Sequence, residues 1–254
     1  MADYGLITKN EYGGTQIDST FQNFVLQESK NVTLYFKHND FPYNIYEVLV
    51  PIPSSPIPPL IAIRPNISED YYVAILGYTI QEGNYNGMYI TSGTSGPSTT
   101  GVYWIHPDYI VTRAITLPTS GSYGMVVYNS NGDICFHSNY KYLKILSAHN
   151  IVLEEPIPYE TYYPYVDVNH SGIYNPYYIL TPNFASVATF TVISPRPPIA
   201  TYVTQLAVGL KRLTSEKVRV GSFRICTFYK SGYPVFPGTP IGWTGQFTLL
   251  TCTV

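Results

Sequence analysis

The sequence predicts an all-β protein built as two β-sandwich-like units with an internal hairpin repeat. Three observations carry this. Apolar alternation and β-branched or aromatic runs recur along the 254 residues, helical spacing is nearly absent, and 21 prolines and 19 glycines punctuate the runs as turns. A chain of this length buries a real core without metals or disulfides.

The strand signals come in order. Val32, Leu34 and Phe36 alternate, and runs at 48–52, 60–63, 72–80, 102–105 and 109–117 follow, with 188–193, 218–228 and 247–254 closing the chain. One segment, 201–213, carries Val203, Leu206, Ala207, Leu210 and Leu213 at three- and four-residue steps and is the single candidate helix, although Gly209 argues against it. Residues 51–65 hold Pro51, Pro53, Pro56, Pro58, Pro59 and Pro65, which places them at a sheet edge or in a polyproline-like connector. The segment 92–101 is a polar loop.

A gapless self-similarity sets residues 4–26 against residues 123–145, 119 positions later. Tyr4-Gly5-Leu6-Ile7 aligns with Tyr123-Gly124-Met125-Val126, an Asn- and Gly-bearing turn follows in both, and Ile17, Ser19, Phe21, Phe24 and Leu26 fall opposite Phe136, Ser138, Tyr140, Leu143 and Ile145. Asn and Gly tolerate the positive φ that tight hairpins demand, and the alternation supplies a half-buried face. These copies place a boundary near residue 120, giving units 1–120 and 121–254.

Only 12% of residues are charged, where about 25% is usual. Twenty-six tyrosines replace them, giving a wettable but adhesive surface suited to assemblies. Net charge is -2, and the tightest basic group is Lys211, Arg212, Lys217, Arg219 and Arg224, offset by Glu216. That reads as a solvated strand face and argues against nucleic acid. No run of eighteen apolar residues suggests a membrane span, and the Met-Ala-Asp-Tyr-Gly start lacks a signal-peptide pattern, which implies a cytoplasmic product. Cys135, Cys226 and Cys252 sit in apolar runs and are expected to be reduced, buried thiols.

Chemistry-bearing patterns are sparse. His38, His106, His137, His149 and His170 form no zinc spacing, Glu154-Glu155 reads as a strand end, and Asp167-Val168-Asn169-His170-Ser171-Gly172 reads as an Asx turn in place of a calcium loop. Neither a P-loop, a dinucleotide fingerprint nor a Gly-x-Ser-x-Gly elbow occurs. The expectation is a non-enzyme with neither cofactor nor metal. The segment that stands out holds Tyr159, Tyr162, Tyr163, Tyr165, Tyr174, Tyr177 and Tyr178 among Pro156, Pro158, Pro164 and Pro176. Constrained rings can anchor a protein interface or stack on sugars, or fill the core. With Trp104, these tyrosines are the expected partner-binding residues.

Tyr4-Gly5-Leu6-Ile7 through Thr15-Gln16-Ile17-Asp18-Ser19 resembles the opening of a group of small bacteriophage tail-associated proteins: Tyr-Gly, two aliphatics, an Asn/Gly turn, then Ile-Asp-Ser. The second copy, Ile134-Cys135-Phe136-His137-Ser138 followed by Tyr142-Leu143, is similar to the Phe-Asp-Ser and Tyr-Leu of the same group, with His137 where Asp is usual. The resemblance implies a place in the virion tail, assembled in the host cytoplasm, with other tail proteins as partners in a symmetric or multi-copy assembly. Two other functions stay open at this point: binding a host receptor or glycan, and hydrolysis of a cell-envelope polymer, which needs paired carboxylates in a cleft.

Overall fold

The computed structural model describes residues 7–9, 15–18, 23–40, 43–67, 69–93, 104–114, 124–154, 163–181, 188–193, 200–231 and 245–254. Nineteen strands and no helix occur among them, so no helix is long and apolar enough to cross a membrane. The first half supplies β1 (Ile7–Lys9), β2 (Thr15–Asp18), β3 (Val25–Asn31), β4 (Leu34–Asp40), β5 (Tyr43–Ser55), β6 (Leu60–Arg64), β7 (Tyr72–Gln81), β8 (Asn84–Gly93), β9 (Trp104–Ile105) and β10 (Asp108–Arg113). The second supplies β11 (Val126–Tyr128), β12 (Ile134–His137), β13 (Lys144–Val152), β14 (Tyr165–Asn169), β15 (Tyr177–Thr181), β16 (Ala188–Ile193), β17 (Ala200–Thr214), β18 (Lys217–Ser231) and β19 (Gln246–Thr253).

Two antiparallel sheets form a sandwich. One has six strands in the order β13-β19-β15-β6-β10-β3, and the other has nine, running β14-β18-β17-β7-β8-β5-β4-β9 with β16 beside β17. Within each sheet the strands of each half are contiguous. They meet at single seams, Tyr178 opposite Ile63 between β15 and β6, and Leu210 opposite Val73 between β17 and β7.

The hairpin repeat is present to the residue. In β1–β2, Ile7 pairs with Asp18, Thr8 with Ile17 and Lys9 with Thr15; in β11–β12, Val126 pairs with His137, Val127 with Phe136 and Tyr128 with Ile134, with the register shift at the same step. The turn of the second copy is an Asx turn: Asn129 Oδ1 accepts from the backbone N–H groups of Asn131 and Asp133, and Gly132 takes a φ of 84°.

The correspondence extends past the hairpins into the six-stranded sheet. Asn31, Lys30, Ser29, Glu28, Leu26 and Val25 pair with residues 108–113 of β10, and Asn150, His149, Ala148, Ser147, Ile145 and Lys144 pair with residues 248–253 of β19. Both ladders skip one residue at equivalent places, Gln27 and Leu146, so the same β-bulge occurs twice. Residues 60–64 then pair with β10 as residues 177–181 pair with β19. The six-stranded sheet is therefore two copies of one three-stranded unit, joined antiparallel edge to edge about a pseudo-twofold axis.

The ends of that sheet also meet. Val25 bridges Tyr142, the Leu26 N–H donates to the Lys141 carbonyl at 2.8 Å, and the Leu143 N–H donates to the Phe24 carbonyl at 2.9 Å. The sheet thus curls on itself around buried Ala62, Ile110, Ile179 and Cys252, with Leu26 and Leu143 packing on them from the two ends. Its other face contributes Ile61, Ile63, Tyr109, Val111, Tyr178 and Leu249 to the main core, against Val73, Ile75, Met88, Ile90, Val208 and Leu210 of the nine-stranded sheet. Each such side chain contributes about 1.5–3 kcal/mol by burial.

Residues 201–213, the candidate helix, are instead part of β17. Leu206, Ala207, Val208 and Leu210 are all buried, because the strand is covered on both faces and so carries no clean period of two. Gly209 and Gly221 pair across β17 and β18 and make room for the Tyr72 and Phe223 rings, which stack at 6.0 Å. Pro51 and Pro53 lie in β5 beyond Glu47, where its pairing with β4 ends, so neither must donate on that side.

Candidate functional site

The described tyrosines of the Tyr-rich segment do not share one surface. Tyr159 and Tyr162 lie outside the described residues. Tyr163 is half-buried just before β14. Tyr165 on β14 is exposed, its ring 3.7 Å from the Arg219 guanidinium. Tyr174 is 70% exposed in the turn before β15. Tyr177 and Tyr178 follow one another on β15, in the other sheet, so their side chains point to opposite faces. Tyr178 is fully buried and its hydroxyl lies 2.7 Å from His170 Nε2, while burial pushes its pKa up to about 12. Trp104 is 55% exposed on β9, at the edge of the nine-stranded sheet opposite β14.

The basic group on β17 and β18 is largely paired. Lys211 contacts Asp70, and Asp167 takes Arg219 at 2.6 Å and Lys217 at 3.0 Å, which holds its carboxyl below the usual range. Those are solvated strand-face pairs of small energetic weight. Arg224's side chain lies outside the described residues.

Arg212 is different. It is 7% exposed, and no carboxylate pairs with it among the described residues. It opens on a cleft of about 420 Å³ at one end of the seams, lined by Asn31, Arg64, Pro65, Asn66, Ile67, His106, Asp108, Asn175 and Arg212. Arg64 comes from the end of β6, Asp108 from the start of β10, and Asn175 from the turn before β15. The Arg64 Nε and Nη2 donate to Asp108 Oδ2 at 3.0 and 2.5 Å, and its Nη1 donates to the Asn175 carbonyl at 3.2 Å. Arg64 also covers the Tyr177 ring at 4.5 Å. Asn175 bridges the two guanidiniums, since its Oδ1 accepts from Arg212 Nη2, and it does so at a φ of 53°, a left-handed conformation that asparagine adopts more readily than most residues. Desolvation lowers the Arg212 pKa; Tyr178 and Asp108 pull it up, and the like charge of Arg64 pushes it down.

The duplication supplies a second cleft. Asn150, Thr181 and Thr248 stand where Asn31, Arg64 and Asp108 stand in the first, and together with Ile151, Val152, Gln246 and Phe247 they line a cleft of about 510 Å³. There the Thr181 hydroxyl donates to the Thr248 carbonyl at 3.2 Å in place of the ion pair. One scaffold thus carries a charged cleft and a neutral one.

Elsewhere the chemistry is thin. Ser147 Oγ lies 3.0 Å from His149 Nε2, but it is also 2.5 Å from Thr251 Oγ1, and no carboxylate orients His149 among the described residues. His170 is buried and satisfied by the Ile173 carbonyl and Tyr178. No group of three or more His, Cys, Asp or Glu among the described residues is placed to hold a metal ion. A void of about 20 Å³ between Ile61, Val73, Tyr178 and Val208 is too small for a ligand. Cys135 and Cys252 are buried free thiols, and burial pushes Cys252 up to about 12. The side chain of Cys226, on β18, lies outside the described residues.

Sheet edges are the other candidate surface. Among the described residues β9 is two residues long, β14 five, and β3 seven with Glu28 and Lys30 ion-paired along it. β13 is nine residues long, and beyond the contact of residues 141–143 with 24–26 that precedes it, it pairs on one side only, with β19, and exposes Ile145 at 49%, Leu146 at 44% and Val152 at 67%.

No family model matches the chain, and no curated protein or solved structure matches it.

Proposed function

We propose that this chain is a non-enzymatic structural component of a bacteriophage tail, held to neighbouring subunits of the particle through the open edge of β13. The observation that carries this reading is the state of that edge. Unpaired backbone donors and acceptors flanked by apolar side chains form a template for another strand, and stable monomers protect such edges with charge, proline or brevity. β9, β14 and β3 carry those protections and β16 is six residues long, whereas β13, nine residues long, has Lys144 and the bulge at Leu146 only near its start. Scarce charge, abundant tyrosine, and the resemblance of the two hairpin motifs to tail-associated proteins support the same reading.

The test is a chain with Ile145→Lys and Val152→Lys. Ile145 is 49% and Val152 67% exposed, so the isolated protein keeps its fold and its urea midpoint. Its incorporation into particles falls at least tenfold in a complementation assay. Normal incorporation of this variant removes β13 as the joining edge.

A further inference from the structure

We propose that the Arg64–Arg212 cleft binds one anionic sugar unit, its carboxylate or phosphate seated against the Arg212 guanidinium. This does not rest on the assembly role of β13.

The charge balance of the cleft points to an anion. Two guanidiniums share one carboxylate, and Asp108 is taken up by Arg64 through two donors at 3.0 and 2.5 Å. Arg212 donates from Nε to the Thr214 carbonyl at 3.3 Å and from Nη2 to Asn175, which leaves Nη1 without a partner among the described residues. Arg212 is 7% exposed, and Asp108, the carboxylate whose charge reaches it, is hydrogen-bonded to Arg64, so an anion entering the cleft would be the first to pair with Arg212 directly. The nearby acid Glu69 does not fill this role, because it accepts from the His106 backbone N–H at 3.0 Å and faces the His106 ring at 3.4 Å.

Polar groups around the charge point to a sugar. Asn175 sits in the left-handed region, where its carbonyl and side chain fix both arginines, and its Nδ2 has no partner among the described residues. The Asn31 amide on the wall already donates to the His106 carbonyl and to Asp108, which leaves its Oδ1 to meet a hydroxyl, and Ile67, 44% exposed, offers an apolar face to ring C–H groups. A cleft of about 420 Å³ takes one or two sugar rings.

The second cleft acts as an internal control. Duplication placed Thr181 and Thr248 at the positions of Arg64 and Asp108, so the neutral copy keeps the scaffold without the charges. A purely structural need for the Arg64–Asp108 pair would apply to both copies, yet only one has it.

The test is backbone amide NMR of the full chain titrated separately with glucuronate, glucose 6-phosphate and glucose. Expected are shifts at Asn66, Ile67 and His106, none at Val152 or Gln246, and at least tenfold tighter binding of an anionic sugar than of glucose. Whichever anion binds more tightly names the source, a uronic-acid polymer or a phosphorylated surface glycan. In Arg212→Gln the advantage over glucose disappears. The proposal is overturned if glucose binds as well as either anion, if neither anion shifts these amides, if the neutral cleft responds equally, or if a folded Arg212→Gln chain keeps the advantage. The map on the unaltered chain decides the matter even if that variant does not fold.

Discussion

Gly209→Ala tests the join between the two halves at its tightest point. A Cβ on residue 209 would lie 2.6 Å from Phe223 Cε1 and 2.8 Å from the Val73 carbonyl oxygen, both inside normal contact distance. The ring is fully buried and stacked on Tyr72, so it cannot simply swing away. The Val73 oxygen is backbone of β7 at its seam with β17, so relief there means parting the strands by several tenths of an ångström. Overpacking of this kind costs about 1–3 kcal/mol, and with two rigid neighbours the upper end applies, about 3 kcal/mol. Urea unfolding followed by tyrosine fluorescence reads it directly. A loss below about 1 kcal/mol refutes the seam packing. Full rescue by adding Phe223→Leu assigns the clash to the ring alone and leaves the strand contact unsupported.

Two further outcomes follow from buried groups and backbone geometry. Burial raises Tyr78, Tyr178 and Cys252 to about 12, well above the ordinary range of a phenol or a thiol. The unfolded chain then releases protons that the folded chain keeps, so stability is level below about pH 9 and falls from there to about pH 12. A urea midpoint that stays flat across that window contradicts the burial of these groups. At the β7–β8 turn, Gln81 pairs with Asn84 across Glu82 and Gly83, whose φ values are 50° and 77°. Such a turn favours Asn at its first position, so Glu82→Asn raises stability by about 0.5 kcal/mol, and a loss would argue against the turn geometry.

The all-β class was legible because apolar alternation and turn residues are local signals. The hairpin repeat was legible for the same reason: β1–β2 and β11–β12 keep one spacing, so a gapless comparison finds them. The rest of the duplication was hidden. Residues 60–64 answer to 177–181 and residues 108–113 to 248–253 at different separations, because the intervening connections differ in length. The charged cleft was hidden with it, since Asn31, Arg64, His106, Asn175 and Arg212 are scattered along the chain and carry no motif spacing. The tyrosine density could not say which rings share a face. Adjacent Tyr177 and Tyr178 must face opposite sides of a strand, so a run of tyrosines cannot present all its rings together, and the hydroxyl of Tyr178 finds His170 inside the core. The basic group, read as a strand face, hid Arg212 among neighbours that are paired with Asp70 and Asp167.

The proposed role stands or falls on where the protein resides in the mature particle. Quantitative mass spectrometry of gradient-purified virions, calibrated against a major capsid protein, measures it. The account predicts this chain at a fixed number of copies per particle, co-purifying with tails after capsid and tail are separated. Its absence from purified virions, alongside abundance in the infected-cell lysate, would contradict the account.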